Sequence, residues 1–236
     1  MKILKKIFIL LQSKLWFYGL LNGVAANIEL KNFLKKINSI NTLVDIGSNK
    51  GQFILLLERY FPDAKVYSFE PIKEILNKQK KFFKYKKDIL FFNIGLGYKN
   101  VISNFYITNK TDSSSFLQIN KNNNTSDNYA VREKRKIKVI KLDKVLIKKK
   151  LLKPILVKID VQGYELEVLK GSKKMLNRID YLLLEVSKNR MYKKQPLETE
   201  IIKYLKKYKF KVVKSSKWME IKNTNFLQRD ILFKKT

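Results

Sequence analysis

Five short apolar runs recur along this 236-residue chain, each of strand length and all but the third followed by a stretch with helical spacing. They are TLVDI at 42–46, KVYSF at 65–69, ILFFN at 89–93, ILVKI at 155–159 and YLLLEV at 181–186. Near-continuous apolarity marks strands covered on both faces. Between the runs, the windows 51–60, 72–83, 164–175 and 197–208 carry apolar residues three and four apart. Strands joined through helices pair in parallel, because a crossover returns the chain to the edge it left. The sequence therefore predicts an α/β fold with a mostly parallel central sheet and helices on both faces. Segments 210–213 and 230–233 add an antiparallel C-terminal strand pair.

Two regions depart from this rhythm. Residues 98–146 read as an insertion, with alternating segments at 101–107 and 136–140 separated by the polar stretch 109–128, whose KNNNTSD tract has the composition of a surface loop. The first 40 residues read as a helical cap or lid, and 41–236 as the catalytic domain. Within residues 1–23, Leu4, Ile7, Phe8, Leu11, Leu15 and Tyr18 share one helical face against Lys2, Lys5, Lys6, Gln12 and Ser13. Gln12, Ser13 and Lys14 interrupt the apolar run, leaving it too short for a membrane span or a secretion signal. Such an amphipathic helix packs on its domain or covers a site; interfacial membrane contact is the other use of the pattern.

The charge balance is extreme, with 51 basic against 20 acidic residues and a net +31. Nucleic acid is nonetheless not the expected partner. The cations are nearly all lysine, without the arginine forks that read phosphate and base edges, and they are spread along the chain as on solvated faces. The chain has no cysteine and no histidine. That excludes disulfides, thiolate nucleophiles, imidazole bases and Cys- or His-ligated metals, and leaves acid–base work to carboxylate, lysine, tyrosine or water. A cysteine-free chain suits the cytoplasm, with membrane association at its cytoplasmic face through the N-terminal helix.

Three stretches carry chemistry. LVDIGSNKGQF ends a strand at Asp45 and passes through Gly47, Ser48, Asn49 and Gly51 into a helix; the glycines let the backbone approach a ligand, and the helix start offers free N–H groups. The next strand ends in Phe69, Glu70 and Pro71, and a carboxylate at that place accepts hydrogen bonds from adenosine ribose hydroxyls. VKIDVQGYELEVLKG sets Lys158 and Asp160 on one side of a buried strand, followed by a helix bearing Glu165; Glu185 ends the following strand. Lys158 and Asp160 read equally as a structural ion pair or as reactive groups.

Together with NIGLG, the serines ahead of Phe116, VIKLDKVL, LLLEVS and QRDILF, these motifs make residues 41–233 resemble the FkbM-type S-adenosylmethionine-dependent methyltransferases. The resemblance implies a class I methyltransferase, Rossmann-like fold and methyl transfer to a hydroxyl oxygen of a sugar, glycan or other metabolite. It implies cofactor contacts from Asp45, Gly47, Ser48, Asn49, Gly51, Glu70 and Pro71, with Asn93, Ile94 and Gly95 beside the adenine. Asp160, Lys158, Glu185 and Glu165 are the catalytic candidates, Asp160 foremost. A divalent cation is compatible with these carboxylates but not required, and no residue is assigned as a metal ligand. Gln162 stands where the family pattern usually has glutamate, and Ser187 where a histidine often follows. Two alternatives are weaker: a nicotinamide-dependent oxidoreductase lacks its GxGxxG here, and a basic protein binding nucleic acid or a membrane surface has only the charge behind it.

Overall fold

The computed structural model describes residues 3–120, 127–222 and 224–236, with side chains from residue 7 onward. Most of the KNNNTSD tract, at 121–126, lies outside the described residues, as do Lys2 and the side chains of Leu4, Lys5 and Lys6. The chain forms two compact units, one of residues 1–93 and 151–156, the other of residues 94–150 and 157–236.

The first unit contains helices α1 (Ile3–Leu11), α2 (Lys14–Leu21) and α3 (Lys31–Leu34), then β1 (Thr42–Ile46), α4 (Gln52–Glu58), β2 (Lys65–Phe69), α5 (Lys73–Phe82) and β3 (Ile89–Phe92). β1 pairs in parallel with β2 and β2 with β3, as the alternation requires. α4 is unusual because Phe53, Ile54, Leu55, Leu56 and Leu57 are all buried. A helix apolar all round needs cover on its outer side as well. α2 supplies it: Trp16 Nε1 donates to Leu55 O at 3.1 Å, and a Cβ on Gly19 would stand 2.3 Å from Leu55 Cδ2.

The N-terminal segment differs from the single helix expected for it. Ser13 adopts an extended conformation and its hydroxyl accepts Trp16 N at 3.4 Å, so it ends one helix and caps the next. The buried face differs too. Leu10 and Trp16 are buried, whereas Phe8, Leu11, Tyr18 and Leu21 are 63%, 52%, 51% and 70% exposed. The break at Ser13 resets the helical phase, and the grip of Leu55 on Trp16 decides which side turns inward.

The second unit opens with β4 (Gly95–Leu96), β5 (Val101–Thr108) and β6 (Val131–Ile140), a small sheet in the order β4-β6-β5. α6 (Leu142–Leu146) leads to β7 (Ile155–Ile159), whose first two residues belong to the first unit. α7 (Glu165–Lys170), β8 (Tyr181–Ser187), α8 (Glu198–Lys206), β9 (Phe210–Ser215), β10 (Met219–Glu220) and β11 (Leu227–Lys235) follow. β11 is antiparallel to β8, β9 and β10, so the expected C-terminal pair is present and extended by a third strand. Among the described residues no helix is long and apolar enough to cross a membrane.

Candidate active site

In the first unit the turn after β1 is built on left-handed backbone. Gly47, Asn49 and Gly51 have φ of 76°, 48° and 87°; glycine adopts this region freely and asparagine is among the few side chains that tolerate it. Gly47 N and Ser48 N donate to Phe69 O at 3.0 and 3.1 Å, which ties the turn to the tip of β2. Glu70, buried at that tip, accepts Asn49 N on Oε2 at 2.9 Å and Ile72 N on Oε1 at 2.8 Å. One carboxylate thereby holds the loop after β1 and the entry to α5 in a fixed relation. Asn93 Nδ2 donates to Glu70 O and Pro71 O, each at 2.9 Å, and closes the same corner from the end of β3.

Beneath the turn lies a residue the sequence analysis missed. Gln79 of α5 is fully buried; its Nε2 donates to Ser48 Oγ and Asn49 O, both at 3.1 Å, and its Oε1 accepts from Ser68 Oγ at 2.7 Å. The signal was available, since Gln79 stands on the apolar stripe Ile72, Ile75, Leu76, Phe83 of its helix, where a polar side chain needs a partner. Asp45, Gly47, Ser48, Asn49, Gly51, Glu70, Pro71 and Asn93 are thus brought to one corner. The fit to an adenosine-bearing group rests on two observations there: a backbone no Cβ obstructs at Gly47, and Asn49 Oδ1, a buried acceptor with no hydrogen-bond partner among the described residues. Ile94 and Gly95 fall in the second unit, where a Cβ on Gly95 would stand 2.3 Å from the Phe116 ring.

The second unit gathers the catalytic candidates. Lys158 and Asp160 leave β7 on one side, and Lys158 Nζ stands 3.1 Å from Asp160 Oδ2 in an ion pair. Gln162 follows at φ 55°, a strained conformation for a non-glycine residue. Its side chain is fully committed. Nε2 donates to Asp160 Oδ1 at 2.9 Å and to Glu185 Oε2 at 3.1 Å, while Oε1 lies 3.1 Å from the Tyr192 hydroxyl, which also donates to Ser113 O at 2.8 Å. Ser115 Oγ donates to the Gln162 carbonyl at 2.7 Å. Glu165 stands beside this cluster, its Oε1 accepting Gly163 N at 3.0 Å and Val161 N at 3.3 Å to shape the turn into α7. Tyr192 was not anticipated; its contacts reach 79 residues back to Ser113 and carry no local signal.

Electrostatics sort these carboxyls. Burial pushes the Glu165 carboxyl up to about 7, against the lowering effect of the backbone N–H groups it accepts. Glu185 is raised well above its ordinary range, first by burial and then by Asp160, Asp230 and Glu165, with Lys158 opposing. Burial also raises the Tyr192 phenol, so it stays protonated and keeps its donor role. The side chain of Asp160 is 33% exposed, whereas that of Lys158 is 8% exposed. Asp160 is therefore the more accessible member of this ion pair. Among the described residues no group of three or more carboxylates is arranged to hold a metal ion.

A model of the methyltransferase FkbM domain matches residues 45–212, well over half of the chain. The chain belongs to the FkbM methyltransferase family. No curated protein matches it in sequence. Among solved structures, magnesium protoporphyrin IX methyltransferase from Synechocystis PCC 6803, determined with S-adenosylmethionine bound, is 12% identical with a TM-score of 0.50, over 88% of this chain and 77% of that one. TrmK of M. capricolum, determined with S-adenosylhomocysteine, is 12% identical with a TM-score of 0.50, over 87% and 67%. At such identities the likeness shows the fold, a class I methyltransferase with a mostly parallel sheet, helices and antiparallel C-terminal strands. Within this FkbM methyltransferase, Gln162 supplies two N–H donors, one to Asp160 and one to Glu185.

Proposed function

We propose that this methyltransferase moves the methyl group of S-adenosylmethionine to a hydroxyl oxygen of a small molecule or glycan, with Asp160 receiving the proton. The observation that carries the reading is the Gln162 clamp, which bonds one oxygen of the partly exposed Asp160 carboxylate and one of Glu185, whose carboxyl burial raises above its ordinary range. When bound, adenosylmethionine supplies an electrophilic methyl on a sulfonium. The residues of this chain do the rest. The turn at Gly47, Asn49 and Gly51, with Glu70, would hold the adenosine; Lys158 and Gln162 fix Asp160; and Asp160 would take the hydroxyl proton as the oxygen–methyl bond forms and the methyl–sulfur bond breaks to leave adenosylhomocysteine. Orientation and proton removal are the main demands of such an in-line displacement.

Adenosylhomocysteine at about 100 times its dissociation constant is expected to stabilise the protein by roughly 2.7 kcal/mol, read as a rise in Tm. NAD is expected to give no rise. A protein stabilised by NAD and indifferent to millimolar adenosylhomocysteine would belong to the oxidoreductase alternative. Glu70→Ala should weaken adenosylhomocysteine by roughly 1.5–3 kcal/mol in titration calorimetry, the range for hydrogen bonds to a charged group. Equal affinity in that variant would take Glu70 out of the cofactor site. Incubation of an extract with radiolabelled adenosylmethionine tests the acceptor: label in the small-molecule or glycan fraction is expected, and label confined to RNA would overturn the acceptor assignment.

The same reading includes attachment to the cytoplasmic face of a membrane through α1 and α2. Its support is the exposure of Ile7, Phe8 and Leu11 on one helix and of Phe17, Tyr18 and Leu21 on the next, each set confined to one arc.

A further inference from the structure

A cavity of about 460 Å³ opens within the first unit between the N-terminal helices and the ends of α3 and α4. Three cations line it, Lys31, Lys35 and Arg59, together with the polar side chains of Gln12 and Ser13, and no carboxylate does. Helix energetics do not account for this arrangement. Lys31 begins α3 and Lys35 caps its C-terminal end, four positions on, where like charges repel. Arg59, at the C-terminal end of α4, is well placed for its own helix but adds a third positive charge to the same space. Among the described residues none of the three is paired with a carboxylate. Ser13 Oγ accepts Trp16 N, which leaves its proton available to donate.

We infer that this cavity binds the phosphate of an anionic membrane lipid, an inference that rests on the membrane attachment proposed above. Three converging cations with hydroxyl and amide donors suit a phosphate, and the volume is in the range of small-ligand sites. The source is a lipid because the helices that wall the cavity, α1 and α2, are those that leave Phe8, Leu11, Phe17 and Leu21 exposed. An apolar face beside a phosphate site matches the layering of acyl chain and headgroup. A second copy of this chain fits poorly, since each copy carries a net charge of +31 and would bring like charge against like.

The test uses the purified full chain in co-sedimentation with vesicles of phosphatidylcholine alone or of equal parts phosphatidylcholine and phosphatidylglycerol. Wild type should sediment only with the mixed vesicles. The variant K31Q/K35Q/R59Q should lose roughly 100-fold in partitioning, the effect of about three surface cations. The variant K203Q/K206Q/K207Q removes the same charge from the C-terminal end of α8 and its cap and should lose far less. An equal loss in both variants would show that diffuse charge alone binds the membrane and would overturn the site. Failure of wild type to sediment would overturn the membrane attachment itself. Stabilisation by millimolar inorganic phosphate in wild type but not in K31Q/K35Q/R59Q, without vesicle binding, would assign the cavity to a free anion and overturn the lipid. A retained Tm rise with adenosylhomocysteine in every variant reports that the fold and cofactor site are intact.

Discussion

Asp160→Asn is expected to bind adenosylhomocysteine as wild type does and to transfer methyl groups about 10²–10⁴-fold more slowly, the usual cost of losing a general base. The substitution is nearly isosteric, although its single amide oxygen can accept from only one of Lys158 and Gln162, which each donate to their own oxygen of Asp160. What disappears is the negative charge and the basicity at a partly exposed carboxyl. Single-turnover kinetics with the acceptor identified by labelling would measure the loss. Near-normal turnover would end the base assignment. If turnover fell and chelation of wild type reproduced the fall, with Mg²⁺ restoring activity, Asp160 would be acting on a metal instead.

The second large effect is on stability. A Glu165 carboxyl raised from 4.5 to about 7 favours the neutral form in the folded state. Its contribution is fully present below the unfolded value near 4.5 and is lost as pH rises through about 7, a total of about 3 kcal/mol. Most of that change falls between pH 5 and 8. Glu185, raised in the same direction, adds a loss of the same sign. Glu165→Gln keeps an oxygen acceptor for Gly163 N and cannot ionise, so its unfolding free energy should decline less than wild type over this interval. Urea unfolding of both proteins at pH 5 and pH 8 gives the comparison. Parallel pH profiles would show that Glu165 titrates normally.

Much of this architecture is legible in the sequence because burial and local spacing coincide. β1, β2 and β7 occupy the apolar runs residue for residue. β6 begins at Val131, earlier than the expected 136, because its first half carries Glu133 and Arg135, paired at 2.7 Å, at its half-buried positions and so shows no apolar alternation to detect. The corner that joins Gly47 to Glu70 is legible through glycine spacing and the acidic strand end. Its underpinning by Gln79 is not, because an amide on a helix does not announce what it bonds. The same holds for Gln162, whose identity was noticed as a departure from the family pattern but whose role depends on Tyr192 and Glu185, 30 and 23 residues away. The N-terminal helices illustrate the converse. Their apolar spacing predicts a buried face, yet which face turns inward depends on Leu55, far along the chain.

The position of β11 bears on how the protein is made. It pairs with β8, β9 and β10, all of which precede it in the chain. During translation, at about 5–20 residues per second, those three strands leave the ribosome before the strand that joins them exists. Until Leu227–Lys235 emerges, β8 presents an unpaired apolar edge, the kind that captures other chains. The second unit therefore completes its sheet only after nearly all of it has been synthesised. Shortening the chain before β11 should yield insoluble protein, whereas a tag placed after it leaves the pairing intact.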